Sequence, residues 1–191
     1  MLVIVIGWQV YDIARASRGV EDAAWLLGMI GLAQFLPLFG LALVVGVIAD
    51  RVDRRYIARA ALALEVACAA ALGSLAFMGR MDLPALFVVA VLLGVARAFV
   101  GPALAALGPN LVPRAILPQA IALNSISWQS GAVLGPPLGA FLYAVAPHVP
   151  YVVAAVLFVG ALLCLFGIGP VPRPAPAAVS PWRSLTEGIA Y

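Results

Sequence analysis

Lysine is missing altogether. The eleven basic residues are all arginine, set against eight acidic ones, and charged residues make up only 10% of the 191-residue chain. There is one histidine, His148, and there are two cysteines, Cys68 and Cys164, each inside an apolar run. No acid–thiol–histidine set exists, and neither G-x-S-x-G nor H-E-x-x-H occurs. Neither a zinc centre nor a catalytic nucleophile therefore has residues to build on. An enzyme is not expected, and neither is a metal or a cofactor. A basic patch interleaved with aromatic residues is also lacking outside the loops, which argues against nucleic acid as a partner. The lack of lysine itself reads as coding bias and carries no chemistry.

Apolar side chains fill the space. Hydrophobic residues are 65% of the chain, and the mean hydropathy is +1.11. That composition excludes an ordinary soluble domain and predicts an all-α integral membrane protein, with the lipid bilayer as its first partner. The net charge of +3 then comes from arginines placed in loops.

The densest charge lies in Gly46–Arg55, which joins two long apolar segments. Asp50, Arg51, Asp53, Arg54 and Arg55 fall within six positions. Such a cluster belongs in water, because charge at bilayer depth is costly. Its arginines, with Arg59 beyond, predict a cytoplasmic turn, since basic residues in short loops stay on that side.

Taken in order, Met1–Ala14 is too short to cross a bilayer: fourteen helical residues span roughly 21 Å against a hydrocarbon core of about 30 Å. It reads as a signal-peptide core or as the outer part of a helix that starts upstream, and the second is favoured because no basic region precedes it. Arg15–Asp22 reads as a polar external turn, and Trp25 opens a second helix that contains Gln34 and Pro37 and runs to about Ile48. Tyr56–Met78 is a third helix, with Glu65. Gly79–Asp82 is an external turn, followed by a fourth helix over Leu83–Leu107 with Arg97. Gly94, Gly101 and Gly108 recur every seven residues and predict one smooth packing face on it.

Val112–Arg114 returns to the cytoplasm. Pro118 suits the first turn of a fifth helix, which carries Asn124, Ser125, Ser127, Gln129 and Ser130. Gly131, Gly135 and Gly139 follow four apart on one face, with Pro136 among them. A sixth helix covers Tyr151–Ile168. From Pro170 the chain is a stiff, proline-rich linker. Seven arginines then fall in cytoplasmic segments, three in external ones and one in the membrane, which predicts a cytoplasmic amino end.

The turn G-x-x-x-D-R-x-x-R-R (Gly46, Asp50, Arg51, Arg54, Arg55) resembles the signature loop of the major facilitator superfamily of secondary transporters. It departs at Asp53, where many members carry glycine. D-R-x-D-R-R is similar to the branch that exports siderophores and drugs, the enterobactin exporter included. Gly7–Asp12 resembles the outer end of that branch's first helix. Arg97–Ala103 resembles its fourth-helix arginine motif, and the stretch from Gly131 to Gly139 resembles the fifth-helix motif of antiporters in the superfamily. The resemblance covers nearly the whole chain.

It implies a half major facilitator fold over 1–169: six transmembrane helices, the first one truncated, arranged as two inverted three-helix repeats. Residues 170–191 then begin the central cytoplasmic loop. A cell inner membrane location is implied, with a missing carboxy-terminal half as partner and a piece of chain absent at both ends. The implied function is proton-coupled efflux of a small-molecule substrate by alternating access, with protons as the coupling partner. Tyr11, Asp12 and Arg97 are implied cavity residues, although Asp12 also fits a solvated helix end. Asn124, Gln129 and Gln34 are further polar candidates. Lysophospholipid transport, or a six-helix membrane partner protein that transports nothing, are the other readings.

Glu65 and Arg97 are the two charges out of place. Each lies roughly 21–23 Å below the Gly79–Asp82 turn at about 1.5 Å per residue, so they stand level on neighbouring helices. They are expected to form an ion pair that loosens on protonation, or a static pair. Otherwise Glu65 faces lipid in its neutral form.

Overall fold

The computed structural model describes residues 1–169, except for the side chains of Arg18, Leu43, Val47, Ala49, Asp50, Arg51, Pro109 and Asn110. The expected start of the central loop at 170–191 thus lies outside the described residues. Six α-helices and one 3-10 turn make up the described residues, with no strand among them: α1 Leu2–Arg18, α2 Val20–Arg51, α3 Arg54–Phe77, α4 Leu83–Leu111, the 3-10 turn Arg114–Ile116, α5 Leu117–Val145 and α6 Val149–Phe166.

Four segments are long and apolar enough to cross a membrane: Val20–Ala42, Arg54–Phe77, Leu83–Gly108 and Val149–Phe166. At 17 residues, α1 falls just short in length. α5 is long enough at 29 residues, but its polar run and Pro136 and Pro137 dilute its apolar character. A membrane leaves backbone groups no partner outside the helix, so helices are the form these segments take.

The connections follow from local chemistry. Asp53 caps α3 by accepting a hydrogen bond from the Arg55 amide at 3.0 Å, and Asp82 caps α4 through the Ala85 amide at 3.0 Å. Each satisfies an amide that the first turn leaves unpaired. Gly79 turns the chain at φ 64, a left-handed conformation that suits glycine. The expected external turn over Arg15–Asp22 is not one. Helix continues on both sides, and the break is Gly19 alone, at φ 95. Glu21 and Asp22 sit in the first turn of α2, where carboxylates favour a helix start.

The core is built by α3 and α4 with α1 and α6 against them. Ile6, Val10, Leu72, Leu86, Leu93 and Tyr151 form its buried centre. A second cluster at the other end joins Ile57 and Leu62 of α3, Ala103 and Leu107 of α4, and Leu165 of α6. α5 is peripheral, with Gly139 its one buried residue. Cys68 is buried, whereas Cys164 is exposed on the apolar α6.

The glycine face of α4 is also corrected. A Cβ added at Gly94 would lie 2.4 Å from the Gln34 backbone carbonyl, while Gly101 and Gly108 have nothing within 4 Å. Only Gly94 sits where α2 and α4 touch backbone to backbone. An apolar groove of about 300 Å³ beside them is lined by Ile48 of α2, Ile57 and Leu64 of α3, and Val95 and Phe99 of α4.

Candidate functional site: charged and polar groups inside the bundle

Glu65 on α3 and Arg97 on α4 face one another. Arg97 Nε lies 4.0 Å from Glu65 Oε1, with side-chain exposures of 36% and 8% respectively. That distance is an ion pair but too long for a hydrogen bond. Neither side chain forms a hydrogen bond among the described residues. Glu65 is buried, so the arrangement with a lipid-facing carboxyl is overturned. The face of α3 that bears Glu65 also bears Ala58, Ala61, Leu62, Cys68, Ala69 and Leu72, and that face packs into the bundle.

Gln34 of α2 approaches the same region. Its Nε2 donates weakly to the Ile30 carbonyl at 3.5 Å, and its Oε1 is buried with no hydrogen-bond partner among the described residues. The Gly94 contact fixes its backbone against α4, one turn before Arg97.

Toward the other ends of α1 and α6, two tyrosines reach α1. Tyr143 of α5 donates to Asp12 Oδ2 at 3.3 Å. The fully buried Tyr151 hydroxyl of α6 donates to Gln9 Oε1. Tyr11 is half-buried and Asp12 exposed, so Asp12 keeps its solvated character with one tyrosine partner. Gln9 and Tyr151 were not singled out from the sequence, because pairing them needs the register of α6 against α1. Asn124 and Gln129 are exposed on α5 and are not brought to the other polar groups. Ser125, Ser127 and Ser130 bond back to their own helix's carbonyls at 3.0, 2.9 and 2.7 Å.

Two of the three α5 glycines meet α1. A Cβ at Gly135 would lie 3.1 Å from the Met1 backbone nitrogen, and one at Gly139 would lie 3.0 Å from Met1 Cγ and 3.1 Å from Val5 Cγ2. Gly131 has open space around it. Pro136 is half-buried beside them. The small residues let the backbones approach.

The signature stretch is helical except at Val52 and Asp53, because α2 runs through Arg51 and α3 starts at Arg54. Asp50 and Arg51 have side chains outside the described residues, and Gly46 is exposed in the last turns of α2. Asp53 Oδ2 accepts from Arg55 Nη2 at 2.8 Å, and Arg54 Nη1 approaches the Ala106 carbonyl at 3.5 Å. Arg55 Nη1 reaches the Ile168 carbonyl at 3.4 Å. Arg59 donates to the Leu165 carbonyl at 2.9 Å and the Ile168 carbonyl at 3.2 Å. These two arginines bind carbonyls at the end of α6 and just past it, where a positive charge also suits the helix dipole. Among the described residues no cluster of histidine, cysteine or carboxylate side chains fits a metal.

A profile of the major facilitator type described as "Transmembrane secretion effector" matches residues 2–190. The chain belongs to this family. An uncharacterized MFS-type transporter of Mycobacterium tuberculosis is 37% identical over 99 residues, covering 52% of this chain and 22% of that protein. Its counterpart in Mycobacterium bovis aligns equally well. Macrolide efflux protein A of Streptococcus pyogenes is 33% identical over 125 residues, 64% of this chain and 30% of the relative. The alignments thus cover less than a third of each curated relative. No solved structure matches the chain.

Membership in the Transmembrane secretion effector family, with four membrane-length helices, makes this a multi-pass membrane protein. In such a setting a buried carboxylate and a half-buried guanidinium at bilayer depth are expensive to keep, and function is the usual reason for keeping them.

Proposed function

We propose that the chain forms the amino-terminal half of a proton-coupled exporter of small molecules, working by alternating access. The observation that carries this reading is the Glu65–Arg97 pair. It is a carboxylate inside an apolar bundle, held by one cation at 4.0 Å, in a chain of a transporter family. Proton uptake by Glu65 removes the charge that holds Arg97. The balance between two helix arrangements then depends on protonation, which is what coupling requires. A relative's name, Macrolide efflux protein A, supports an apolar, drug-like cargo, and a siderophore stands beside it as a cargo class.

The rest of the architecture belongs to the same proposal. Two inverted three-helix repeats make up 1–169, and 170–191 open a central cytoplasmic loop. The second half of the same transporter closes the substrate cavity near the midplane. The Gly46–Arg55 stretch, where α2 gives way to α3, and the amino end face the cytoplasm of an inner membrane. Asp50, Arg51, Arg54 and Arg55 of the signature turn steady one transport state, and Tyr11 and Asp12 sit toward the external mouth.

The test is efflux from cells lacking their own pumps and expressing the whole reading frame. Accumulation of a labelled macrolide or a cationic dye should fall relative to the empty vector, and a protonophore should abolish the difference. Equal accumulation with and without the protein sinks the export reading, and export insensitive to the protonophore sinks the coupling. The apolar groove beside α2, α3 and α4 favours a second cargo class, a single-chain phospholipid. Translocation of labelled lysophospholipid in the same cells tests it.

A further inference from the structure

Two groups on α2 and α4 lack what the other has. Gln34 offers a buried carbonyl oxygen with no donor among the described residues. Arg97 carries five N–H donors, and none of them is engaged in a hydrogen bond among the described residues; its one ionic partner is Glu65 at 4.0 Å. A buried acceptor left unpaired is costly, and so is a guanidinium without hydrogen bonds at bilayer depth. Both deficits sit at one crossing point.

That crossing is tight. The Gln34 carbonyl lies where a Cβ at Gly94 would come within 2.4 Å of it, so the α2 backbone is pressed onto α4 one turn before Arg97. The two helices run in the same direction, because each is followed or preceded by a hairpin with α3. Helical side chains lean back toward their own amino ends. Arg97 therefore projects over the turn that holds Gly94, toward the level of Gln34. Glu65 reaches it from α3 on the other side.

We propose that Gln34 is a positioning residue: its side-chain carbonyl is the second seat of the Arg97 guanidinium, taken when Glu65 becomes neutral. This rests on the coupling role given to Glu65 above. In the structure described, Arg97 sits by Glu65 and Gln34 Oε1 waits unpaired. When Glu65 gains a proton, its pull on the cation is lost. The amide oxygen one turn away is a neutral acceptor that needs no counter-charge, and the guanidinium turns to it. The other titratable side chain at this point is the Cys68 thiol, one turn from Glu65 on the same buried face of α3. It offers Arg97 no comparable acceptor. The exchange moves one cation between α3 and α2, and so converts a protonation into a change of which helices are tied together.

The test is a thermal-stability cycle on the protein in detergent, read as melting temperature, so that it does not depend on transport. Gln34→Leu in the native background is expected to leave the melting temperature within about 2 °C, or raise it, because it removes an unpaired acceptor. Glu65→Gln places Arg97 on Gln34. Adding Gln34→Leu to Glu65→Gln removes both seats and is expected to lower the melting temperature by a further 5 °C or so, the scale on which a lost buried interaction shows in a chain this size. Additive effects overturn the proposal, as does a large loss from Gln34→Leu alone. Where Glu65→Gln is too unstable to purify, Gln34→Glu combined with it supplies a carboxylate at the second seat and is expected to restore yield; no restoration overturns the proposal. If export proves independent of protons while the cycle is strongly non-additive, the coupling reading fails and the second seat stands as structural.

Discussion

Arg59 holds the end of a helix that lies 106 positions along the chain from it. Its guanidinium donates to the Leu165 carbonyl at 2.9 Å and stacks 4.8 Å from the centre of the Phe166 ring. The Leu165 carbonyl also accepts the Ile168 amide at 3.3 Å, so the arginine of a neighbouring helix adds a charged second donor at a helix end where carbonyls have spare acceptor capacity. Arg55 adds a third contact through Ile168.

Arg59→Ala is therefore expected to lower the melting temperature by an amount equivalent to about 1–2 kcal/mol, the range for hydrogen bonds to a charged donor. Arg59→Lys should recover less than half of it, because an ammonium lacks the planar fork and stacks poorly on a ring. An unchanged melting temperature in Arg59→Ala would remove the capping role.

Glu65→Ala and Arg97→Ala should each reduce folded yield. A cost of about 2 kcal/mol is expected, below the usual cost of breaking a buried pair because Arg97 is 36% exposed and the separation is long. The exchanged double variant, Glu65→Arg with Arg97→Glu, should regain yield relative to either single change to the opposite charge. Size-exclusion profiles of tagged protein decide this, and no regain means that the two side chains do not act as a pair.

Gly94→Ala is expected to disrupt the fold, since the new Cβ meets the Gln34 backbone carbonyl at 2.4 Å and backbone yields little. Gly101→Ala and Gly108→Ala should be neutral or slightly stabilising, because alanine is the better helix former and nothing lies within 4 Å. Melting curves of the three variants give the comparison. Equal behaviour would show that α2 and α4 do not touch at Gly94.

Val52, exposed in the turn between α2 and α3, reports sidedness. With Cys68 and Cys164 replaced by alanine, Val52→Cys should resist an impermeant thiol reagent added to intact cells and react after permeabilisation. Labelling of intact cells would invert the proposed topology.

Much of the helix map was legible because apolar runs and turn residues agree. The turns at Gly79 and around Pro113 fell where backbone chemistry demands them. The stretch Arg15–Asp22 misled because charge was read as loop, whereas Glu21 and Asp22 lie where the first turn of α2 welcomes them. Level counting from the Gly79 turn placed Glu65 opposite Arg97, since a hairpin fixes the register of two sequential helices. No hairpin relates α6 to α1 or to α3. The Tyr151–Gln9 contact and the arginine caps on α6 were accordingly out of reach. The glycine spacing in α4 marked three equivalent positions, but spacing along one helix does not say where a neighbour's backbone comes close, and of the three only Gly94 meets α2.

The polar, proline-containing α5 has a consequence for how the protein is made. It carries no charged residue, yet it lacks the apolar character that carries the other long helices into a bilayer, while α6, joined to it by three residues, is the most apolar segment of the chain. A helix of that character is expected to need a partner to enter a bilayer, and the one at hand is α6 as the other arm of a hairpin, with Gly135 and Gly139 closing against the start of α1. Replacing apolar residues of α6 by charged ones is accordingly expected to lower the membrane-inserted fraction of α5 as well, although α5 itself is unchanged.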